Sequence, residues 1–254
     1  MKVGIIQGRL SPPLEGFQEC PKNWKREFQL MKEIGLTHLE WIVTKLSFHN
    51  NPVFYNDLKN IPINSICADN LVSNSITDEG FLEYQLSTIC KAAINNNINF
   101  VTIPLLEKSS LEKIEKLDKF CSHFSQICKK YPEINFSLET EISLSKIPKL
   151  LNISNNVFLT YDTGNTTSYN LSHEKYINSF YERISNVHIK DRTLQGETVT
   201  PLTGDTNFIK IFSLLKSKKY FGPFTLQTAR GKPSKEFETI QKHFKTMRNL
   251  YEQC

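Results

Sequence analysis

Four side chains with metal-donor chemistry stand at or near the ends of four short apolar runs in the second half of the chain. Glu139 closes the run Ile134 to Glu139, Asp162 follows Val157 to Tyr161, His188 sits in Ile184 to Ile189, and Gln227 ends Phe224 to Gln227. Two carboxylates, an imidazole and an amide are all oxygen donors but for one nitrogen. Such a set suits a divalent cation (Mn²⁺, Mg²⁺ or Co²⁺, with Zn²⁺ also compatible), with positions left open for a substrate. A lone histidine on a strand more often satisfies a structural hydrogen bond. Of the other five histidines four fall in helices or loops and His38 at the start of an expected strand, so the signal is four donors at four successive strand ends, not His188 itself.

Other polar residues fall at equivalent places. They are Gln7 and Arg9 after the first apolar run, Glu40 after the second, Asp69 and Asn70 after the third, and Glu107 after the fourth. Glu141 follows Glu139, Asn165 follows Asp162, and Lys190, Arg192, Arg230 and Lys232 gather after the last two runs. Glu40 and Glu107 read equally well as solvated strand ends. The basic group reads as a phosphate site at the place where barrels commonly build one, or as ordinary surface charge. Gln7, Arg9, Asp69, Asn165, Lys190, Arg192 and Arg230 are the candidate substrate contacts. Trp41, Phe17 and Phe48 could cover the apolar face of a ligand, although aromatics at strand ends are more often core.

The elements that would position these residues alternate strand and helix from end to end. Strands are expected at Lys2 to Gly8, Thr37 to Val43, Ile63 to Ala68, Ile98 to Ile103, Ile134 to Glu139, Val157 to Tyr161, Ile184 to Ile189 and Phe224 to Gln227. Helical spacing fills Trp24 to Ile34 (closed by Gly35), Thr77 to Asn96, a stretch to about Lys130, Leu144 to Leu151, Ser172 to Tyr181, Phe208 to Leu215 and Ser234 to Tyr251, with a weaker helix at Asn51 to Asn60. Thr77, Asp205 and Ser234 are the expected helix caps, and Ser109 with Glu112 has capping-box spacing. About eight βα units of about 32 residues each predict a single α/β domain over 1–254, a (β/α)8 TIM barrel with its site at the C-terminal ends of the strands. A doubly wound sheet is less suited, because Gln7-Gly8-Arg9-Leu10-Ser11-Pro12-Pro13 is not a glycine-rich phosphate turn.

The chain has 254 residues, a formal net charge of +5 and six cysteines without a CxxC pair. No apolar run approaches the roughly 20 residues of a membrane span, and Met1 to Gln7 is too short an apolar core for a signal peptide. A reduced, cytoplasmic protein is therefore expected. The lysines are scattered and not clustered, so neither nucleic acid nor membrane is an expected partner. An anionic small substrate is compatible with the net charge, and so is a homodimer.

Leu138-Glu139-Thr140, Tyr161-Asp162-Thr163-Gly164-Asn165, His188-Ile189-Lys190-Asp191-Arg192 and Leu226-Gln227-Thr228-Ala229-Arg230, with the opening Val3 to Pro12, resemble the sugar phosphate isomerase/epimerase group. That group belongs to the xylose isomerase-like TIM-barrel superfamily, together with hydroxypyruvate isomerase, inosose dehydratase and endonuclease IV. The resemblance implies Glu139, Asp162 and His188 as metal ligands, Gln227 in place of the fourth, and Glu139 as both ligand and base. The family usually has Glu where Gln227 stands. An amide oxygen still ligates, but it carries no charge and cannot act as a base.

The expected chemistry is thus isomerisation of a sugar or sugar phosphate through an enediolate. A base takes the proton alpha to the carbonyl and a Lewis acid holds the oxygens. Epimerisation at a carbinol carbon generally uses bases on opposite faces, so Gln227 favours one-base isomerisation, or a related dehydration or lyase reaction. Glu141 and Lys190 are the other candidate catalytic groups. Endonuclease-type DNA repair would need more histidine ligands. A non-catalytic barrel that binds a sugar or a partner protein is the rival from a different class.

Overall fold

Strand residues alternate sides, and in this chain the more apolar of the two sides faces the helices. The computed structural model of the protein describes residues 1–12, 20–72, 74 and 76–254. Its strands β1 (Lys2–Ile6), β2 (Leu39–Ile42), β3 (Ile63–Cys67), β4 (Phe100–Leu105), β5 (Asn135–Thr140), β6 (Val157–Asp162), β7 (Ile184–Ile189) and β10 (Pro223–Leu226) form a closed barrel in the order β1-β10-β7-β6-β5-β4-β3-β2. A two-stranded antiparallel piece, β8 (Asp191–Arg192) and β9 (Thr198–Val199), follows β7. The expected (β/α)8 barrel is therefore what the chain forms. By Cα proximity it comprises two compact units, Glu40–Thr160 and the combination of Met1–Leu39 with Tyr161–Cys254.

The helices are α1 (Trp24–Ile34), α2 (Glu79–Asn95), α3 (Ile114–Lys130), α4 (Ile147–Leu151), α5 (Thr163–Ser168), α6 (His173–Phe180), α7 (Phe208–Ser217) and α8 (Glu236–Gln253). In α3 the buried residues Leu117, Phe120, Phe124, Ile127 and Cys128 recur at helical spacing. Their partners are outward strand residues such as Phe136, whose ring meets Phe124 at 5.1 Å between centroids. Gly35 closes α1 with a left-handed φ of 91°, a conformation glycine takes without a Cβ penalty.

Inside the barrel the side chains are polar where barrels usually hold Val, Ile and Leu. Within 40–160, Glu40 Oε1 accepts from Ser65 Oγ at 3.0 Å and Thr102 Oγ1 at 2.5 Å, and Ser137 and Thr160 share a 2.5 Å hydrogen bond. In the other unit Thr225 Oγ1 donates to Asn186 Oδ1 at 3.1 Å. Glu40 is thus an interior residue, fully buried, and not a solvated strand end.

Several local expectations are corrected. No α-helix forms over 51–60. Only a turn of 3₁₀ helix at Pro52–Phe54 does, capped by Asn51, whose side chain accepts from Val53 N and Trp41 Nε1 and donates to Ile42 O. Asp78, not Thr77, caps α2, and Asn207, not Asp205, caps α7. Asp205 instead accepts from Leu194 N. Ser234 lies at φ 66° and caps nothing. The capping box fails because Glu112 turns away to Ser143 N, Ser143 Oγ and Lys146 Nζ. The short helix α5, directly after β6, was not expected.

Candidate metal centre

The end of β6 is where the strand turns into α5, and Asp162 serves both. Its Oδ1 accepts from Asn165 N at 2.7 Å, which fixes the carboxylate as the α5 cap. The other oxygen, Oδ2, is buried and receives no hydrogen bond from any described residue. Lys190 Nζ approaches it to 2.9 Å, a close ion pair in a poor hydrogen-bonding direction. His188 Nδ1 lies 3.8 Å from the same oxygen. Register pairs Glu139 of β5 with Thr160 of β6, one inward position before Asp162. Donor atoms of Glu139, Asp162 and His188 all lie within 4.8 Å of one another, and all three residues are buried. A divalent cation about 2.1 Å from each donor separates adjacent donors by roughly 3–4 Å, so this spacing fits one ion.

Gln227, the expected fourth ligand, lies just past the end of β10. Its backbone N–H donates to Ile189 O at 3.0 Å, while its side-chain Oε1 is buried without a hydrogen-bond partner among the described residues. An orphaned buried amide oxygen is costly, and a cation would satisfy it. The donor set present therefore fits a divalent metal.

The Thr163-Gly164 pair after Asp162 explains how β6 and β7 hold their ends together. Thr163 Oγ1 donates to Lys190 O at 2.7 Å and to His188 O at 3.1 Å, and accepts from Lys190 N at 3.0 Å. Gly164 gives clearance, since a Cβ there would stand 2.9 Å from Lys190 Cγ and 3.1 Å from Arg192 Cγ. Asp191 faces the other way. Its carboxylate accepts from the N–H groups of Thr203, Gly204 and Thr206, pinning the loop that leads from β9 to α7.

Behind β6, Tyr161 Oη is hydrogen-bonded to His173 Nδ1 at 2.5 Å, and His173 Nε2 to Thr167 Oγ1 at 3.0 Å. Burial pushes the Tyr161 hydroxyl well above its ordinary range and holds His173 down at about 4, so both are neutral at pH 7.

Gln7 is fully buried just after β1. Arg9 is buried beside Arg230, and burial followed by that neighbouring charge holds its guanidinium down at about 9. Arg230 donates to Ser11 O and Gly8 O, and Arg192 donates to Thr198 Oγ1 and Ser168 Oγ. The basic residues Lys190, Arg192 and Arg230 are each engaged with protein groups. Glu141 is half-buried and its Oε1 accepts from Glu107 N. Asp69 opens a 3₁₀ turn after β3, and Asn165 is buried in α5. Trp41 is core, and Phe17 lies outside the described residues.

Sequence reasoning missed Glu27. It is buried on the apolar face of α1 and accepts from Gly8 N at 2.9 Å and Leu10 N at 3.1 Å, anchoring the β1 loop. Burial raises its carboxyl to about 6 despite those hydrogen bonds. The available signal was a carboxylate set into the Trp24, Phe28, Met31, Ile34 stripe.

A family model described as xylose isomerase-like TIM barrel matches residues 112–250, more than half of the chain. Among solved structures, a zinc-bound IolI protein superposes with a TM-score of 0.75 at 16% identity, covering 100% of this chain and 99% of that one. The 3-keto-D-glucoside 4-epimerase YcjR of E. coli gives 0.69 at 16% identity, covering 98% and 99%. The "probable 3-DHS dehydratase AsbF" of Bacillus anthracis gives 0.71 at 13%, covering 98% and 99%. At such identities these likenesses establish the fold. No curated protein matches the sequence significantly. Among the described residues no helix is long and apolar enough to cross a membrane.

Proposed function

The chain belongs to the xylose isomerase-like TIM-barrel family, and we propose that it is a divalent-metal-dependent isomerase of a sugar or sugar derivative, working as one barrel. The buried cluster of Glu139, Asp162 and His188 carries this reading. These residues, with the Gln227 amide oxygen, would hold the ion. When bound, the ion supplies Lewis-acid polarisation of the sugar's carbonyl and hydroxyl oxygens.

Glu139 takes the proton from the carbon alpha to the carbonyl and returns it to the former carbonyl carbon, so one carboxylate serves both transfers. Lys190 presents an ammonium beside the carboxylates, a donor for the oxygen that gains charge. Gln227 is neutral and accepts no proton, which leaves a single base and favours isomerisation over two-base epimerisation. The same groups serve a dehydration if Lys190 protonates a departing hydroxyl, and the AsbF neighbour is named for such a reaction. All six cysteines are free thiols, which suits a reducing, cytoplasmic setting.

The test is solvent-deuterium exchange into carbon-bound positions, followed by NMR with Mn²⁺-loaded protein over a panel of aldoses, ketoses and their phosphates. At least one sugar should exchange, and Glu139→Gln should slow it by roughly 10²–10⁴-fold. Exchange that survives Glu139→Gln, or no exchange with any sugar and no metal bound at micromolar levels, overturns the proposal in favour of a binding barrel.

A further inference from the structure

A pocket of about 250 Å³ opens beyond the ends of β2 and β3, lined by Lys45, Phe48, His49, Asn70, Asn74, Phe81 and Gln85. None of these is a candidate metal ligand. The volume sits just under the roughly 300–1,000 Å³ usual for small-molecule sites, a size for one ring and not for a large cofactor.

The walls are fixed. Phe48 is buried and packs edge-on against Phe54, with ring centroids 5.7 Å apart. Phe81 and Gln85 lie four residues apart in α2 and so share one helix face. Asn70 is held by three contacts: its N–H donates to Val43 O at 2.8 Å, its carbonyl accepts from Asn74 Nδ2 at 2.5 Å, and its Nδ2 donates to Gln85 Oε1 at 2.6 Å. What remains is Asn70 Oδ1, buried and without a hydrogen-bond partner among the described residues. Asn70 itself is only 2% exposed. Buried acceptors of this kind are normally satisfied, and a ligand hydroxyl would satisfy this one.

The chemistry selects the ligand. Phe48 and Phe81 offer apolar faces for C–H groups, while the Asn70 oxygen and the Gln85 amide N–H groups suit hydroxyls. An anion is poorly served. Lys45 is the one ammonium among the lining residues, and the nearby start of α2 carries Asp78 and Glu79, with Phe81 N already taken by Asp78 Oδ1 at 2.7 Å. Position completes the case. β3 lies two strands from β5, which carries Glu139, or about 10 Å along the sheet at a usual strand spacing of about 4.8 Å. One sugar ring at Glu139 does not extend into this pocket.

We propose that the pocket is a subsite for a second, neutral, hydroxylated ring, so that the substrate is a glycoside or disaccharide and not a monosaccharide phosphate. This rests on the isomerase reading for the ring at Glu139.

The experiment is calorimetric titration of the Mn²⁺-loaded and EDTA-treated protein with the reducing disaccharides cellobiose, maltose, gentiobiose and isomaltulose, against glucose, fructose and fructose 6-phosphate. At least one disaccharide should bind tenfold or more tighter than the better of its component monosaccharides. Phe81→Ala and Gln85→Ala, each checked for folding by circular dichroism, should both collapse that ratio. If no disaccharide reaches a tenfold gain, if the gain survives both substitutions, or if fructose 6-phosphate binds tightest and is lost in Lys45→Ala, the subsite proposal falls. The two readings fail separately. A disaccharide gain without deuterium exchange into that disaccharide or any monosaccharide keeps the subsite and removes the isomerase, and monosaccharide exchange without a gain does the reverse.

Discussion

Replacing Lys190 by Met tests whether the lysine ammonium and a metal ion neutralise the same carboxylate. Lys190 is buried, its Nζ lies 2.9 Å from Asp162 Oδ2, and Glu139 brings a second carboxylate oxygen into the same cluster. Methionine keeps an apolar stem of similar length, so the packing of Cγ over Gly164 is largely retained. What is lost is the positive charge. Removing one partner of a buried ion pair costs about 3–5 kcal/mol, and the Asn165 N–H that still serves Asp162 argues for the lower end, about 3 kcal/mol. For a chain of this length each kcal/mol moves the melting temperature by roughly 2–4 °C, so the metal-free variant should melt about 6–12 °C below wild type.

The same coupling has a second readout. If a divalent ion supplies the missing charge, the free-energy penalty must reappear as tighter metal binding, since coupling between two ligands of one group is reciprocal. About 3 kcal/mol corresponds to about 100-fold in Kd. Differential scanning fluorimetry with and without Mn²⁺, and a competitive metal titration, measure the two sides. A metal-free melting temperature within about 2 °C of wild type, or a metal affinity unchanged within about threefold, would refute the shared-carboxylate argument.

Gln227→Glu restores a carboxylate at the fourth position. It should tighten Mn²⁺ by at least about tenfold and allow deuterium exchange with inversion at a carbinol carbon, which the one-base proposal does not expect of wild type. A chelator competition and product NMR check the two parts. Asp191→Ala leaves three N–H groups of the 203–206 turn without their acceptor, and amide exchange there should speed by roughly 100-fold, as mass spectrometry would detect. Burial holds His243 at about 4 against an ordinary 6.5. Its contribution is therefore present above pH 6.5 and lost as pH falls through 4, about 3 kcal/mol in all. Glu27, raised from 4.5 to about 6, acts oppositely, its smaller contribution being present below 4.5 and lost as pH rises through 6. Urea unfolding should show stability falling from pH 7 to pH 4, with the slope reduced in His243→Gln.

The alternation of apolar runs and helical stripes made the barrel legible, because strand and helix periods differ and each run ended in a polar residue. Helix ends were less legible. Thr77 and Asp78 are both competent caps by type, and the choice depends on which side chain reaches Phe81 N. Glu112 has capping-box spacing, yet Lys146 and Ser143 from another βα unit take its carboxylate. Contacts between elements far apart in sequence decide such cases. The same holds for Glu40, which reads as a strand-end acid until Ser65 and Thr102 are seen to enclose it. The cluster of Glu139, Asp162 and His188 was legible because each member stands at or one residue before the end of its own strand. The pocket of Asn70, Phe81 and Gln85 was not, since its walls come from two loops and a helix whose meeting no local pattern records.

Gln227 takes on a different meaning beside Lys190. Glu139 and Asp162 bring two negative charges, Lys190 one positive, and Gln227 and a ligating imidazole none, so the cluster carries about −1 before a divalent ion and about +1 after it. With Glu in place of Gln the loaded centre would be neutral. A substrate that develops negative charge on its oxygens is stabilised by a site whose own charge is positive and shielded from water. On the proposed reading the amide weakens the hold on the ion and removes a base while strengthening the field at the reacting oxygens. That balance suits a reaction in which one carboxylate moves a proton along a single face and an anionic intermediate is the costly species. It also gives Lys190 a reason to sit against Asp162: its ammonium offsets one of the two buried carboxylates of the cluster.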